Sequence, residues 1–142
     1  MQDYKPEVER IMAEAAATNN FINYIGLKVE SCAAGKLEMS MIVEPTMSNG
    51  YGTIHGGALA SLMDTCLGVA CFTLGKRVVT EDMHINYLKA VKTGDKIIAK
   101  AEVIHNGAKI VTVQGIAVNS RGQVVCQSTA NFYVIGAVTL KA

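Results

Sequence analysis

Asp64 is the only charged residue between Gly56 and Leu74, in a run otherwise made of Gly, Ala, Leu, Met, Cys, Val, Ser, Thr and Phe. A carboxylate among such neighbours must be paired, well hydrogen-bonded or pushed towards its neutral form, because burying an unpaired charge is expensive. Asp is also a poor helix former, and eight residues into a helix it has no end to cap. One reading is structural: an acid tied to a neighbouring loop. The other is chemical: a general base or nucleophile held where water is scarce. The same run opens with Ile54-His55-Gly56-Gly57. Glycines in a first turn lower helix propensity, but they leave N–H groups uncovered at the positive end of the dipole. Such a terminus can bind an anion or polarise a carbonyl as an oxyanion hole. The plainer alternative is that the glycines only let the helix end pack closely, and a lone His55 would not decide between the two.

Spacing links the two candidates. Gly56 and Asp64 are eight residues apart, so about 12 Å along an α-helix. A nucleophile and an oxyanion donor must both reach within about 3 Å of one reacting group. One helix cannot place both there. If both act, they come from different subunits of an obligate dimer with antiparallel neighbouring helices.

Other chemistry finds little support. Gly50-x-Gly52 with Gly56 lacks the glycine spacing of a dinucleotide-binding turn, and no crossover to a parallel strand follows. His84 and His105 have no ligand spacing around them, so no metal is expected. Cys32, Cys66, Cys71 and Cys126 form no C-x-x-C pair, and no secretory signal opens the chain at Met1-Gln2-Asp3-Tyr4-Lys5-Pro6. Reduced, buried thiols of a cytoplasmic protein are expected. Lys76, Arg77, Lys89, Lys92, Lys96 and Lys109 are scattered as solvated surface cations usually are. Thirteen Lys+Arg against twelve Asp+Glu leave a net charge of +1, no reason to bind nucleic acid or an anionic membrane. A membrane span through Asp64 would cost about 2.5–3.5 kcal/mol at that residue alone.

The elements that must position these residues follow from periodicity. The chain has 142 residues, half of them apolar, which suits one domain over 1–142. Val8, Ile11, Met12 and Ala15 predict an amphipathic helix over about 6–18. Strands are expected at 27–32 and 36–43, joined at Ala33-Ala34-Gly35, and then a loop over 44–53. The apolar helix spans 56–74, with Gly75 as its C-terminal cap and Lys76-Arg77 at the negative end of its dipole. Four strands over 78–88, 96–105, 109–119 and 124–135 read as an antiparallel meander. On the first of them Met83, Ile85 and Tyr87 share one face, and Thr80, Asp82, His84 and Asn86 the other. The fold class is α+β, with a core of about 26–135 and a sheet curled around one helix. Met39, Met41, Met47, Met63 and Met83 are read as gap-filling core rather than as a pocket lining.

Asn49-Gly50-Tyr51-Gly52-Thr53-Ile54-His55-Gly56-Gly57, with Asp64 nine residues after the histidine, resembles the hotdog-fold acyl-CoA thioesterases of the phenylacetate-degradation (4-hydroxybenzoyl-CoA thioesterase-like) type. The likeness runs through Thr80-Glu81-Asp82-Met83-His84-Ile85-Asn86-Tyr87-Leu88-Lys89 and Thr93-Gly94-Asp95, and covers roughly residues 26–134. It implies a hotdog fold of about six antiparallel strands wrapped around the long helix. It implies hydrolysis of an acyl-CoA thioester to a free acid and coenzyme A, with no separate cofactor. Asp64 would be base or nucleophile, Gly56 the oxyanion donor, and Asn49 and His55 would place substrate and water, with the Thr80 hydroxyl assisting. Gly57, Asp82, Tyr87, Lys89, Lys92, His105, Gly107 and Lys109 would flank or bind the substrate, the lysines meeting phosphates. Relatives often carry Pro where Ala90 stands, which leaves the path of the coenzyme tail open. The resemblance also implies a dimer of dimers. Two alternatives stay open: an acyl-CoA-binding module without turnover, and a hotdog dehydratase or hydratase.

Overall fold

The computed structural model describes residues 3–18 and 20–140. Two helices come first, α1 (Lys5–Thr18) and α2 (Asn20–Ile25), then strands β1 (Lys28–Ala33) and β2 (Lys36–Ile42). A 3₁₀ turn, Pro45–Met47, precedes the central helix α3 (Gly56–Phe72). Strands β3 (Lys76–Tyr87), β4 (Lys96–Asn106), β5 (Ile110–Val118) and β6 (Val124–Ala137) complete the chain. All six strands form one antiparallel sheet in the order β1-β2-β4-β5-β6-β3.

That order corrects the expected four-strand meander. Of these four strands only β4, β5 and β6 are consecutive neighbours; β3 pairs with β6 at the far edge, and β4 pairs with β2. The reason lies in residues 88–95, which are too committed elsewhere to form a hairpin turn. Val91 O accepts from Ile54 N at 2.8 Å, and Gly94 N and Asp95 O bond Val43 on either side. The chain therefore crosses from the β3 edge to the interior of the sheet, where β4 lies between β2 and β5. The short helix α2 and the 3₁₀ turn were also not anticipated; six and three residues are too few to show a helical period.

α3 packs against β2 to β6 through Leu59, Leu62, Met63, Cys66, Leu67, Val69, Ala70 and Cys71, all buried. Met39, Met41, Met47 and Met63 are buried as core fillers. The helix lies close to the sheet because glycine stands where the two meet. A Cβ on Gly115 of β5 would fall 2.7 Å from Lys100 O and 2.8 Å from a Leu67 methyl. A Cβ on Gly68 would fall 3.2 Å from the Phe132 ring.

The helix departs from its expectation in two ways. It ends at Phe72, not Leu74: Thr73 caps it, Gly75 takes a left-handed φ of +75°, and Lys76 and Arg77 already belong to β3. It is also not buried all round. Gly57, Ser61, Asp64, Thr65, Gly68 and Phe72 share one face and stay half-buried or exposed. This strip borders β3, whose outer edge has no strand partner among the described residues.

β3 holds a second correction. Its pairing slips between Thr80 and Asp82, so Glu81 is an extra, bulged residue. Strict alternation put Thr80 beside Asp82, His84 and Asn86. The bulge instead places Thr80 opposite buried Phe132, on the helix side with Met83, Ile85 and Tyr87.

Gly115→Ala tests the close approach. Overpacking against backbone and Leu67 should cost about 1–3 kcal/mol, seen as a lower thermal midpoint. An unchanged midpoint would mean that helix and sheet are not held this tightly.

Candidate active site

Asp64 projects from the half-buried strip of α3, and its Oδ1 accepts a 2.7 Å hydrogen bond from the Thr80 hydroxyl. That bond exists because of the β3 bulge, which turned Thr80 inward. Oδ2 accepts no hydrogen bond among the described residues, and so remains open to a proton or an electrophile. The carboxylate is thus oriented at one oxygen and available at the other.

At the head of α3, His55 is the N-cap, with extended backbone (φ −67°, ψ 136°). Its Nδ1 accepts from Gly57 N at 2.8 Å, which assigns the ring proton to Nε2. His55 O accepts from Ala58 N and Leu59 N at 2.9 and 3.2 Å, and His55 N donates to Met47 O at 2.7 Å. Every N–H from His55 to Leu59 is therefore bonded except that of Gly56. A single uncovered donor at a helix N-terminus is the element an oxyanion hole needs.

Asn49 is committed to its own loop. Its Nδ2 donates to Thr53 Oγ1 and its Oδ1 accepts from Tyr51 N, both at 2.8 Å, while its backbone N–H bonds Thr53 O. It clasps the Gly50-Tyr51-Gly52 tip, in which both glycines take positive φ. Asp82 points to the other face of β3, held by Asn131 Nδ2 at 3.1 Å, with Thr112 bonding Asn131 in turn. Tyr87 donates its hydroxyl to Gly56 O at 2.9 Å. Burial pushes that hydroxyl's pKa up, with a smaller push from Cys126, so it stays a donor.

The basic residues divide into two groups. Lys89 and Lys92 are exposed beside the end of β3, where Lys89 N bonds Val125 O. His105 stands near the end of β4, and Gly107 and Lys109 lie in the β4–β5 turn, where Lys109 O accepts from Val134 N. From Val125 to Val134 is nine residues of β6, or about 30 Å. One chain does not gather these groups. Sequence reasoning also passed over Lys76, whose ammonium reaches Asn106 and the Gly107 carbonyl. Its only signal was its place beside Gly75, which suggested a helix end instead.

A groove of about 600 Å³ crosses the outer face of the sheet, lined among others by Glu38, Lys100, Gln114 and Gln127. Neither Asp64 nor Gly56 lines it. Within one chain Asp64 and Gly56 therefore lie outside this groove, on the half-buried strip and at the head of α3. All four cysteines are free and buried. Among the described residues no three His, Cys, Asp or Glu side chains cluster as a metal site would require. No helix among them is long and apolar enough to cross a membrane.

An antiparallel sheet wrapped on one helix, with an acid mid-helix and an open donor at its start, defines a hotdog thioesterase. The thioesterase superfamily model matches residues 51–126, more than half of the chain, and the chain belongs to that family. Human acyl-coenzyme A thioesterase 13 is 31% identical over 125 residues, covering 85% of this chain and 87% of that one. The Escherichia coli PaaI protein of the phenylacetic acid degradation operon superposes with a TM-score of 0.85 at 26% identity, covering 95% of this chain and 99% of that one. A hypothetical thioesterase of Streptococcus pneumoniae, solved with coenzyme A, is 32% identical with a TM-score of 0.77, over 80% of this chain and 88% of that one. Two mutant structures of a Streptococcus pneumoniae thioesterase carry alanine for an aspartate and for a threonine sixteen residues beyond it, the separation of Asp64 and Thr80 here.

Burial gives the cysteines a testable signature. It pushes the thiols of Cys32 and Cys126 up to about 11 and those of Cys66 and Cys71 up to about 12. A raised thiol pKa keeps the unreactive protonated form through neutral pH, and the thiolate forms only as pH climbs towards those values. A chromogenic disulfide reagent at pH 8 should label none of the four in the folded protein and all four in urea. Rapid labelling of the folded protein would contradict this.

Proposed function

We infer that this chain hydrolyses the thioester bond of an acyl-coenzyme A, giving a free acid and coenzyme A. The observation that carries the reading is Asp64, oriented by Thr80 at 2.7 Å, on a helix that opens with an unpaired Gly56 N–H. Membership of the thioesterase superfamily supports the same chemistry.

Eight residues of helix hold these two groups about 12 Å apart, so each active centre takes Gly56 from one subunit and Asp64 from its neighbour. Two features of the fold support such a dimer. β3 offers a twelve-residue edge without proline, and the half-buried strip of α3 runs beside it. Joining two β3 edges antiparallel across a twofold axis sets the start of one strand against the end of the other. It therefore also brings Lys89 and Lys92 of one subunit towards the turn carrying His105, Gly107 and Lys109 of the other, and the coenzyme phosphates lie between them. His55 and Asn49 shape the loop beside the donor, and Asp82 lies next to the joined edge. Two such dimers associate into a tetramer, as the resemblance implies.

In the reaction the thioester oxygen accepts from the Gly56 N–H while Asp64, across the interface, takes a proton from water or attacks the carbonyl carbon itself. The Thr80 hydroxyl keeps the carboxylate aimed. The tetrahedral intermediate places its negative charge on the oxygen beside Gly56. Its collapse breaks the carbon–sulfur bond and expels the coenzyme A thiolate, which takes up the proton that Asp64 removed from water. Where Asp64 itself attacks, collapse leaves an acyl–aspartyl anhydride that water then hydrolyses to the free acid, its proton going to the thiolate. Coenzyme A enters as part of the substrate, and the reaction draws on no further cofactor. The four unpaired, buried thiols fit a reducing compartment such as the cytoplasm.

Asp64→Asn should lower turnover of acyl-CoA at least ~10²-fold, the range of general acid–base groups, with the thermal midpoint retained. Release of coenzyme A is read with a thiol reagent across short, long and aromatic acyl chains. Full activity of the variant would overturn the catalytic role of Asp64. Binding of acyl-CoA by the wild-type protein without thiol release would make it a binding module instead.

A further inference from the structure

Two adjacent glycines are a poor way to hold a hydrogen-bond donor still. Glycine has the widest backbone freedom of any residue, and a donor that wanders loses the preorganisation on which oxyanion stabilisation depends. The peptide linking Gly56 to Gly57 is nevertheless held at both ends. Its N–H, that of Gly57, donates to His55 Nδ1 at 2.8 Å. Its C=O, that of Gly56, accepts from the Tyr87 hydroxyl at 2.9 Å. The preceding peptide is fixed at its carbonyl by Ala58 N and Leu59 N, leaving its Gly56 N–H free. The Tyr87 ring also lies against Gly56: a Cβ there would stand 3.3 Å from the ring carbon that bears the hydroxyl.

We propose that Tyr87 is a positioning residue for the oxyanion donor, which together with His55 clamps the Gly56–Gly57 peptide so that the Gly56 N–H alone faces the thioester. This reading rests on the thioesterase activity inferred above and reassigns Tyr87, which the resemblance placed among the residues that flank or bind the substrate. Tyr87 reaches across 31 positions of the chain to make the bond, from the last residue of β3 to the first of α3. A methyl group at position 56 keeps the N–H but stands 3.3 Å from the Tyr87 ring, which must give by a few tenths of an ångström and so loosens the clamp.

Tyr87→Phe keeps the ring and removes only the hydroxyl. Its kcat should fall about tenfold, less than the 10²–10³-fold loss of an oxyanion donor itself. KM for acyl-CoA should stay within about twofold, since binding before the transition state is untouched. Gly56→Ala should show the same pattern, and the double variant should be little worse than the weaker single variant, because both act through one peptide. Unchanged kcat in Tyr87→Phe, a change confined to KM, or fully additive losses would each overturn the proposal, the last two pointing to direct contact with substrate. Should Tyr87→Phe melt early, the other end of the clamp is read instead. His55→Asn, which keeps a capping acceptor, should retain more kcat than His55→Ala, and equal losses would count against the clamp. Asp64→Asn is assayed beside them. If that variant is inactive while Tyr87→Phe is normal, only the clamp fails; if it is fully active, the thioesterase reading fails first.

Discussion

The rise of an α-helix is the constraint from which the rest of this molecule follows. α3 carries an uncovered N–H at Gly56 and an oriented carboxylate at Asp64, and helix geometry keeps them about 12 Å apart. No side-chain rotation or loop movement closes that gap while the helix stays intact. The sheet keeps it intact, burying Leu59 through Cys71 and closing on them where Gly115 and Gly68 leave room. The rigidity that makes each group well placed also makes each insufficient alone. The exposed β3 edge and the half-buried helix strip beside it are the surfaces on which the inferred second copy would complete the site.

Each candidate group is held by a hydrogen-bonded neighbour. Asp64 is aimed by Thr80, and Thr80 faces it only because Glu81 bulges out of the ladder. Gly56 is singled out by His55 and Tyr87, which take up or fix the groups around it. Bulges next to active sites re-aim side chains in this way, and a register error of one residue would put the Thr80 hydroxyl on the wrong face. Precision here comes from ordinary hydrogen bonds at 2.7–2.9 Å placed on regular elements.

Much of this was legible in the residues. A lone Asp in an apolar helix and two glycines at its start marked the candidate groups, and alternation named all six strands to within a few residues. What escaped was non-local. Nothing in residues 88–95 announces that they dock on Ile54 and Val43, so a meander was expected where the chain crosses the sheet. Strict period-two alternation cannot reveal a bulge, so Thr80 was placed outward. The free face of α3 was hidden because its small residues, Gly57, Ala60 and Gly68, look as apolar as its core. Lys76 looked like a helix-end cation until the fold carried it to the Asn106-Gly107 turn.

The shared active centre is tested most directly by mixing subunits. An Asp64→Ala chain and a Gly56→Pro chain, whose ring removes the N–H, are each expected to be inactive. In a mixed dimer built as inferred here, one site carries both defects and the other carries neither. After equal mixing and subunit exchange, half of the dimers are mixed, so activity should return to about a quarter of the wild-type level. No recovery from folded parents, with mixed dimers demonstrated, would contradict a site assembled from Gly56 and Asp64 of different subunits.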